Sequence, residues 1–225
     1  MWCVPEITGE FVERMEDVLR LYARPHREKE PVVCLDERPV VLRAPARPGQ
    51  PMRSGRSARA DYEYVRHGTA NIFCIVEPQT GRRLTHATAR RTNKDFARAL
   101  HRISKAYPKA RRIHLVADNL SSHSEKACIE TFGTRRGKAL WRRFRVHFTP
   151  KHASWLNAAE MEASLVARQC LGKRSISTLA ELRRQVRAWR RVATFEGCSI
   201  RWRFRVSDAR RVFRYDRLVF RRSKH

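Results

Sequence analysis

Three stretches of this chain bring a carboxylate to a place where ligand sites form. Residues 113–123 read Ile-His-Leu-Val-Ala-Asp-Asn-Leu-Ser-Ser-His, a short apolar run that stops at Asp118-Asn119. That is the pattern of a buried strand handing a carboxylate to a sheet edge. In open α/β sheets, ligands lie just beyond the carboxyl ends of the strands, so Asp118 stands at such a position, although Asp and Asn also begin ordinary turns. Residues 31–35, Pro-Val-Val-Cys-Leu, repeat the pattern and run into Asp36-Glu37. The third carboxylate, Glu160, falls in the first turn of a helix expected over about 155–171. Asn157-x-x-Glu160 also spells a capping box, which gives Glu160 a purely structural alternative. Glu162 competes with it, but residues two apart on a helix point to different faces, so at most one of the pair joins a site.

The elements that position these groups are legible in order. Thr8 caps a helix over Gly9–Tyr22 whose Phe11, Met15, Val18, Leu19 and Tyr22 recur at helical spacing before Pro25. Residues 43–60 turn to Arg, Pro, Gly and Ser without periodicity and read as a mobile basic loop able to order on phosphates. Two β-rich runs, 69–76 and 82–89, flank a Pro/Gly turn and predict a hairpin. Thr92-Asn-Lys-Asp95 is a capping-box start for a helix with Phe96, Leu100, Ile103 and Tyr107 on one face, ended by Pro108. The strand bearing Asp118 follows, then a basic helical segment to about Phe144, a strand over 145–148, a break at Thr149-Pro150, and the helix of Glu160. Strand, strand, strand, helix, strand, helix, strand, helix predicts an α/β mixed sheet, a three-strand meander plus crossover strands flanked by helices. Beyond it, Thr178 begins a helix with a seam of Leu179, Leu182, Val186, Trp189 and Val192, while its arginines fall largely elsewhere. Ile200, Trp202 and Phe204 alternate like a strand, and Ser207 is placed to cap a short final helix.

The chain has 225 residues with 49 Lys+Arg against 22 Asp+Glu, a formal charge of +27. Such an imbalance points to a polyanionic partner, nucleic acid first. Six scattered cysteines lack any zinc spacing and read as reduced, mostly packed thiols. The same absence of spacing counts against zinc at His123, His147 and His152, each better read as a satisfied histidine or a phosphate contact. Trp155 reads as an anchor packing the helix start. The N-terminus lacks the marks of a signal peptide and no apolar run approaches ~18 residues, so a cytoplasmic protein without a membrane span is expected.

Asp36-Glu37, Tyr64-Val-Arg-His-Gly-Thr-Ala70, Leu115-Val-Ala-Asp-Asn119 with Ser122-His123, and residues 147–160 together resemble the DDE catalytic domain of mariner-like bacterial insertion-sequence transposases, the insertion sequence 630 family. The likeness continues through Arg168-Gln-Cys-Leu171, Ile200-Arg-Trp-Arg-Phe204 and Asp208-Ala-Arg210. It implies a ribonuclease H-like fold, with Asp36, Asp118 and Glu160 as the catalytic, metal-binding triad and Glu160 favoured over the capping alternative. Forty-one residues lie between Asp118 and Glu160, a spacing like that of the longer-spaced bacterial branch. Three carboxylates suit two Mg2+ or Mn2+ ions, which take hard oxygen ligands and assist in-line displacement at a phosphodiester. Asn119 and His123 are implied to support the triad, while Arg53, Arg56, Arg59, Lys151, His152, Arg183 and Arg187 are candidate DNA contacts by their basic character.

The resemblance further implies double-stranded DNA as partner, a homodimer or higher oligomer on it, association with a bacterial nucleoid in the cytoplasm, and no membrane. The expected division is an N-terminal helix and linker over 1–30, the catalytic domain over 31–172, and a basic, helical C-terminal extension over 173–225. Relatives carry helix-turn-helix modules before the catalytic domain. Here one amphipathic helix precedes Asp36, so the recognition domain is expected to be missing. A ribonuclease H-like nuclease without strand transfer, and an inactive DNA-binding remnant, are the alternatives.

Overall fold

The structure, a computed structural model, describes residues 7–57, 59, 61–118 and 123–215. Helix α1 (Gly9–Tyr22) begins where the Thr8 hydroxyl accepts the Phe11 N–H, and its apolar stripe buries Phe11, Met15, Val18 and Leu19. The sheet follows: β1 (Val32–Pro45), β2 (Tyr64–Glu77), β3 (Arg82–Arg83), β4 (His86–Thr88), β5 (Ile113–Ala117) and β6 (Phe144–Phe148). Its order is β3-β2-β1-β5-β6, with β4 also on β2. β1 runs antiparallel to β2 and parallel to β5, and β5 is parallel to β6. This is the expected meander joined to crossover strands.

Because side chains alternate along a strand, the two faces of the sheet take different partners. Val33, Leu35, Phe73, Ile75, Ile113 and Leu115 pack against α2 (Asn93–Ala106), α3 (Glu125–Phe132) and α4 (Thr134–Trp141). Val32, Cys34, Val76 and Val116 point the other way, onto α1 and α7 (Val206–Phe213), while Ile72 and Cys74 meet the region of α5 (Ala159–Leu165) and α6 (Leu179–Phe195).

Several expectations are corrected. β1 does not end at Asp36; it continues to Pro45 because β2 pairs with it from Cys34↔Val76 to Pro45↔Tyr64, with a bulge between Val41 and Arg43. What does end near Asp36 is the parallel ladder to β5, whose last pair is Cys34↔Val116. The segment expected as a basic loop is instead drawn into a hairpin arm. Gln50 and Arg59 exchange backbone hydrogen bonds of 2.8 and 3.0 Å, and Arg53 and Arg56 close the tip at 2.9 and 3.1 Å, with Gly55 at φ +73°. Backbone pairing of this kind is invisible in an Arg/Pro/Gly composition.

The helix expected over 155–171 is broken into a 3-10 turn (Ser154–Leu156), α5, and a π-helical turn (Val166–Leu171). The interruption is Asn157, whose extended backbone leaves its side chain free to bond elsewhere. Residues 200–204 form no strand. Ile200 donates one backbone hydrogen bond to Pro78, and Ile200, Trp202 and Phe204 pack on the core beside α1. Ser207 lies inside α7, and the cap there is Asp208, which accepts the Arg205 N–H at 2.9 Å. The α6 seam stops short of Val192, which is 58% exposed. Trp155 packs on Phe204 and Phe213. All described cysteines are free; Cys198 alone among them is exposed. No helix among the described residues is long and apolar enough to cross a membrane.

Candidate active site

The alternation that sorts the core also sorts the carboxylates. Asp36 shares a face with Cys34, and Asp118 follows β5 in phase with Val116, so both belong to the side on which α1 and α5 pack. Glu160 occupies the first turn of α5, an exposed position on the helix that packs against β1 and β2. Two strands and a helix thus deliver Asp36, Asp118 and Glu160 to one face.

Their charges interact. Burial, the largest effect, together with the charges of Glu160, Asp118 and Glu37 pushes the Asp36 carboxyl up to about 6, against the opposing hydrogen bond it accepts from the Glu37 N–H at 2.7 Å. Among the described residues no three His, Cys, Asp or Glu side chains, Asp36, Asp118 and Glu160 included, are placed to hold a metal ion. Carboxylate oxygens are nonetheless the donors a hard divalent cation takes, and the Asp118 side chain is 36% exposed while Glu160 is exposed.

The competitor Glu162 is fully buried. Its carboxylate accepts Arg83 Nε at 2.9 Å and the Thr85 hydroxyl at 2.9 Å. Two positions along α5 rotate a side chain from the sheet face into that interior pair, so Glu162 stays out of the site. The capping box does not form either. Asn157 Oδ1 accepts the Ala159 N–H at 3.1 Å, and its Nδ2 donates to the Leu35 carbonyl at 2.8 Å. Asn157 therefore ties the start of α5 to β1 at the residue before Asp36, which holds Glu160 and Asp36 in a fixed relation. Sequence reasoning missed this tie because it took Asn157 only as a local cap.

His123 is buried beside the site, stacked on Phe96 with ring centres 4.4 Å apart. Its Nδ1 donates to the Asp118 carbonyl at 2.9 Å and lies 3.1 Å from the Asp118 carboxylate, while Nε2 faces Glu37 at 3.5 Å. Burial works against the imidazolium, yet the bonds to Asp118 and Glu37 carry its pKa up to about 9. Asn119 lies outside the described residues.

The basic candidates fall in three places. Arg53, Arg56 and Arg59 are exposed on the hairpin arm. Lys151 and His152 are exposed in the turn after β6, which ends beside β5 and so beside Asp118; His152 adopts φ +61° there. Arg183 and Arg187 line a cavity that α6 forms with β4 and α2. Two clusters escaped the sequence reading. Arg98, Arg102 and Arg190 share that cavity. On the face covered by α1, Asp17, His147 and His114 form a hydrogen-bonded chain of 2.5 and 2.8 Å.

The family model described as DDE superfamily endonuclease matches residues 31–183. No curated protein matches the chain. Among solved structures, the Mos1 mariner paired end complex with Mn is 13% identical with a TM-score of 0.55, over 88% of this chain and 61% of that one. The Mos1 strand transfer complex is 15% identical with a TM-score of 0.56, over 88% of this chain and 60% of that one. At such identity the likeness is one of fold, the ribonuclease H-like fold, and this chain spans about three-fifths of the length of those chains.

Proposed function

We propose, from the premise that this chain belongs to the DDE superfamily endonuclease family, that it is the catalytic part of a mariner-like bacterial transposase of the insertion sequence 630 type. It cuts DNA strands and transfers their ends with the help of two divalent cations. The observation that carries the reading is the gathering of Asp36, Asp118 and Glu160 on one face, felt as mutual charge at Asp36. The fold shared with Mos1 chains in a paired end complex with Mn and in a strand transfer complex supports it.

In this reading Asp36, Asp118 and Glu160 hold the cations. Bound Mg2+ or Mn2+ would activate the attacking oxygen and stabilise the leaving oxygen during in-line displacement at phosphorus. The chain's own groups set the stage for that step. His123 fixes the orientation of Asp118 and offsets part of the negative charge, and Asn157 keeps α5 at its distance from β1. Asn119 is assigned a supporting contact. Lys151, His152 and the arginines of the arm hold the duplex by its phosphates, contacts that position without reading sequence. The catalytic unit is taken as residues 31–172 with a basic extension over 173–225, acting as a homodimer or higher oligomer on DNA in the bacterial cytoplasm.

The test is metal-dependent nicking of supercoiled plasmid by the purified chain, followed by joining of pre-cut ends to a target. Nicking is expected with Mg2+ or Mn2+ and little with Ca2+, whose looser geometry supports binding better than catalysis. Asp118→Asn and Glu160→Gln should remain folded and lose nicking. Full activity in chelator, or in either variant, would sink the reading; nicking without end joining would reduce it to a nuclease.

A further inference from the structure

At the edge of the sheet opposite β6, the strand β4 and the helices α2 and α6 enclose a cavity of about 520 Å3, within the ~300–1,000 Å3 range of ligand clefts. Its walls carry Arg98 and Arg102 from α2, Arg183, Arg187 and Arg190 from α6, and His86 from β4. Asp95 is the one carboxylate in the lining, and it is already engaged: it accepts the Thr92 N–H at 3.0 Å and the Thr92 hydroxyl at 2.7 Å and sits 3.7 Å from Arg98. Arg102, Arg187 and Arg190 form no ion pair among the described residues.

This gathering costs the fold something. Burial and then the charges of Arg102, Arg187 and Arg191 hold the Arg190 guanidinium below its ordinary pKa. Two helices distant in sequence bring like charges together around a hollow, an arrangement that a bound anion would relieve. Planar guanidinium forks converging from several directions suit phosphate, whose tetrahedrally arranged oxygens accept hydrogen bonds from more than one side.

The cavity also has a defined relation to the carboxylates. His86 pairs with Phe73 across one ladder and Phe73 with Glu37 across the next, a row on the α2 face of the sheet that ends one residue along β1 from Asp36, which points to the other face. Two strand spacings make that row about 10 Å long.

We propose that this cavity is a phosphate-binding site that holds the backbone of the DNA substrate at the β4 edge of the sheet, separate from the carboxylate site. The proposal rests on the reading of the carboxylates as a DNA-processing site and adds a second anchor that catalysis does not require.

The experiment uses the full chain in chelator, so cleavage plays no part. Affinity for a fluorescent 30-base-pair duplex is measured against salt for the wild type and for Arg102→Gln/Arg190→Gln. Losing one phosphate contact should make the slope of log affinity against log salt shallower by about 0.9. The thermal midpoint of the free variant should hold or rise, because like-charge repulsion is removed. Should the double variant fail to fold, Arg102→Gln alone, at an exposed position on α2, carries the slope measurement. Arg102→Lys/Arg190→Lys, which keeps charge but loses the planar fork, should keep the slope. NMR of the His86 ring reports the site directly: saturating duplex should shift it, and inorganic phosphate should do so only at far higher concentration.

An unchanged slope together with an unmoved His86 would overturn the proposal. So would inorganic phosphate or a nucleotide moving His86 at lower concentration than DNA, which would make the cavity a small-anion site. Absence of metal-dependent nicking with the slope change intact would leave the anchor standing and remove the catalytic reading instead.

Discussion

Glu160 and Glu162 are two residues apart on α5, and neutralising them should give opposite phenotypes. Glu162 and Arg83 are both nearly inaccessible, at 0% and 2% exposure of their side chains, and meet at 2.9 Å. Arg83 also donates to the carbonyls of Gly81, Ala193 and Cys198. Glu162→Met removes one partner of a buried pair and leaves a guanidinium without its counter-charge. Such removals cost about 3–5 kcal/mol, and the Thr85 hydroxyl loses its acceptor as well. For a chain of this length that corresponds to a fall in thermal midpoint of roughly 6–20 °C. Arg83→Met/Glu162→Met takes both charges out of the interior, so it should cost less than the sum of the two single variants. It should not be neutral, because three carbonyls lose a donor at about 1–3 kcal/mol for each that water cannot reach. Urea unfolding of the wild type, both single variants and the double variant closes the cycle, with comparable m values as the check that the states are the same. Glu160→Gln, at an exposed site, should stay within about 0.5 kcal/mol of the wild type while losing nicking. The reasoning fails if Glu162→Met costs less than about 1 kcal/mol, or if the cycle shows no coupling between Arg83 and Glu162.

Two further outcomes are expected. Burial, aided by Arg102, holds the His86 pKa down at about 4, so between the ordinary value near 6.5 and 4 the unfolded chain binds a proton that the folded chain refuses; stability should fall as pH drops through that window. His86→Phe should flatten that part of a thermal-midpoint profile, and an unchanged profile would refute the assignment. On the arm, replacing Arg53, Arg56 and Arg59 with Gln should make the salt dependence of duplex binding shallower by as many as ~3 units if each meets a phosphate; titration at several salt concentrations decides, and an identical slope would remove the arm from the interface.

What was legible in the sequence was the order of elements, because it is written in local pattern. The run 113–117 carries its own burial, and Thr8, Thr92 and Thr178 mark helix starts that the structure keeps. The length of β1 was not legible. Its second half alternates exposed side chains around Pro39 and earns its strand geometry only from β2. Residues 200–204 carry the reverse lesson: their alternation is real, but no neighbouring edge accepts them, and the apolar side chains simply cover the core beside α1. Asn157 was misjudged because its partner, Leu35, lies on another element. The cavity could not be seen at all, since Arg102 and Arg190 are neighbours only after folding.

The bulge between Val41 and Arg43 separates two stretches of one hairpin. Inward of it, a slip of one residue would exchange Asp36 for Glu37 on the catalytic face, so pairing there must be conserved to the residue. Outward of it, the ladder has already been offset once and the side chains are mostly exposed. Length changes beyond the bulge therefore do not propagate to Asp36. The arm is a cassette: it can be shortened, lengthened or replaced by another hairpin, with Asp36 left in register.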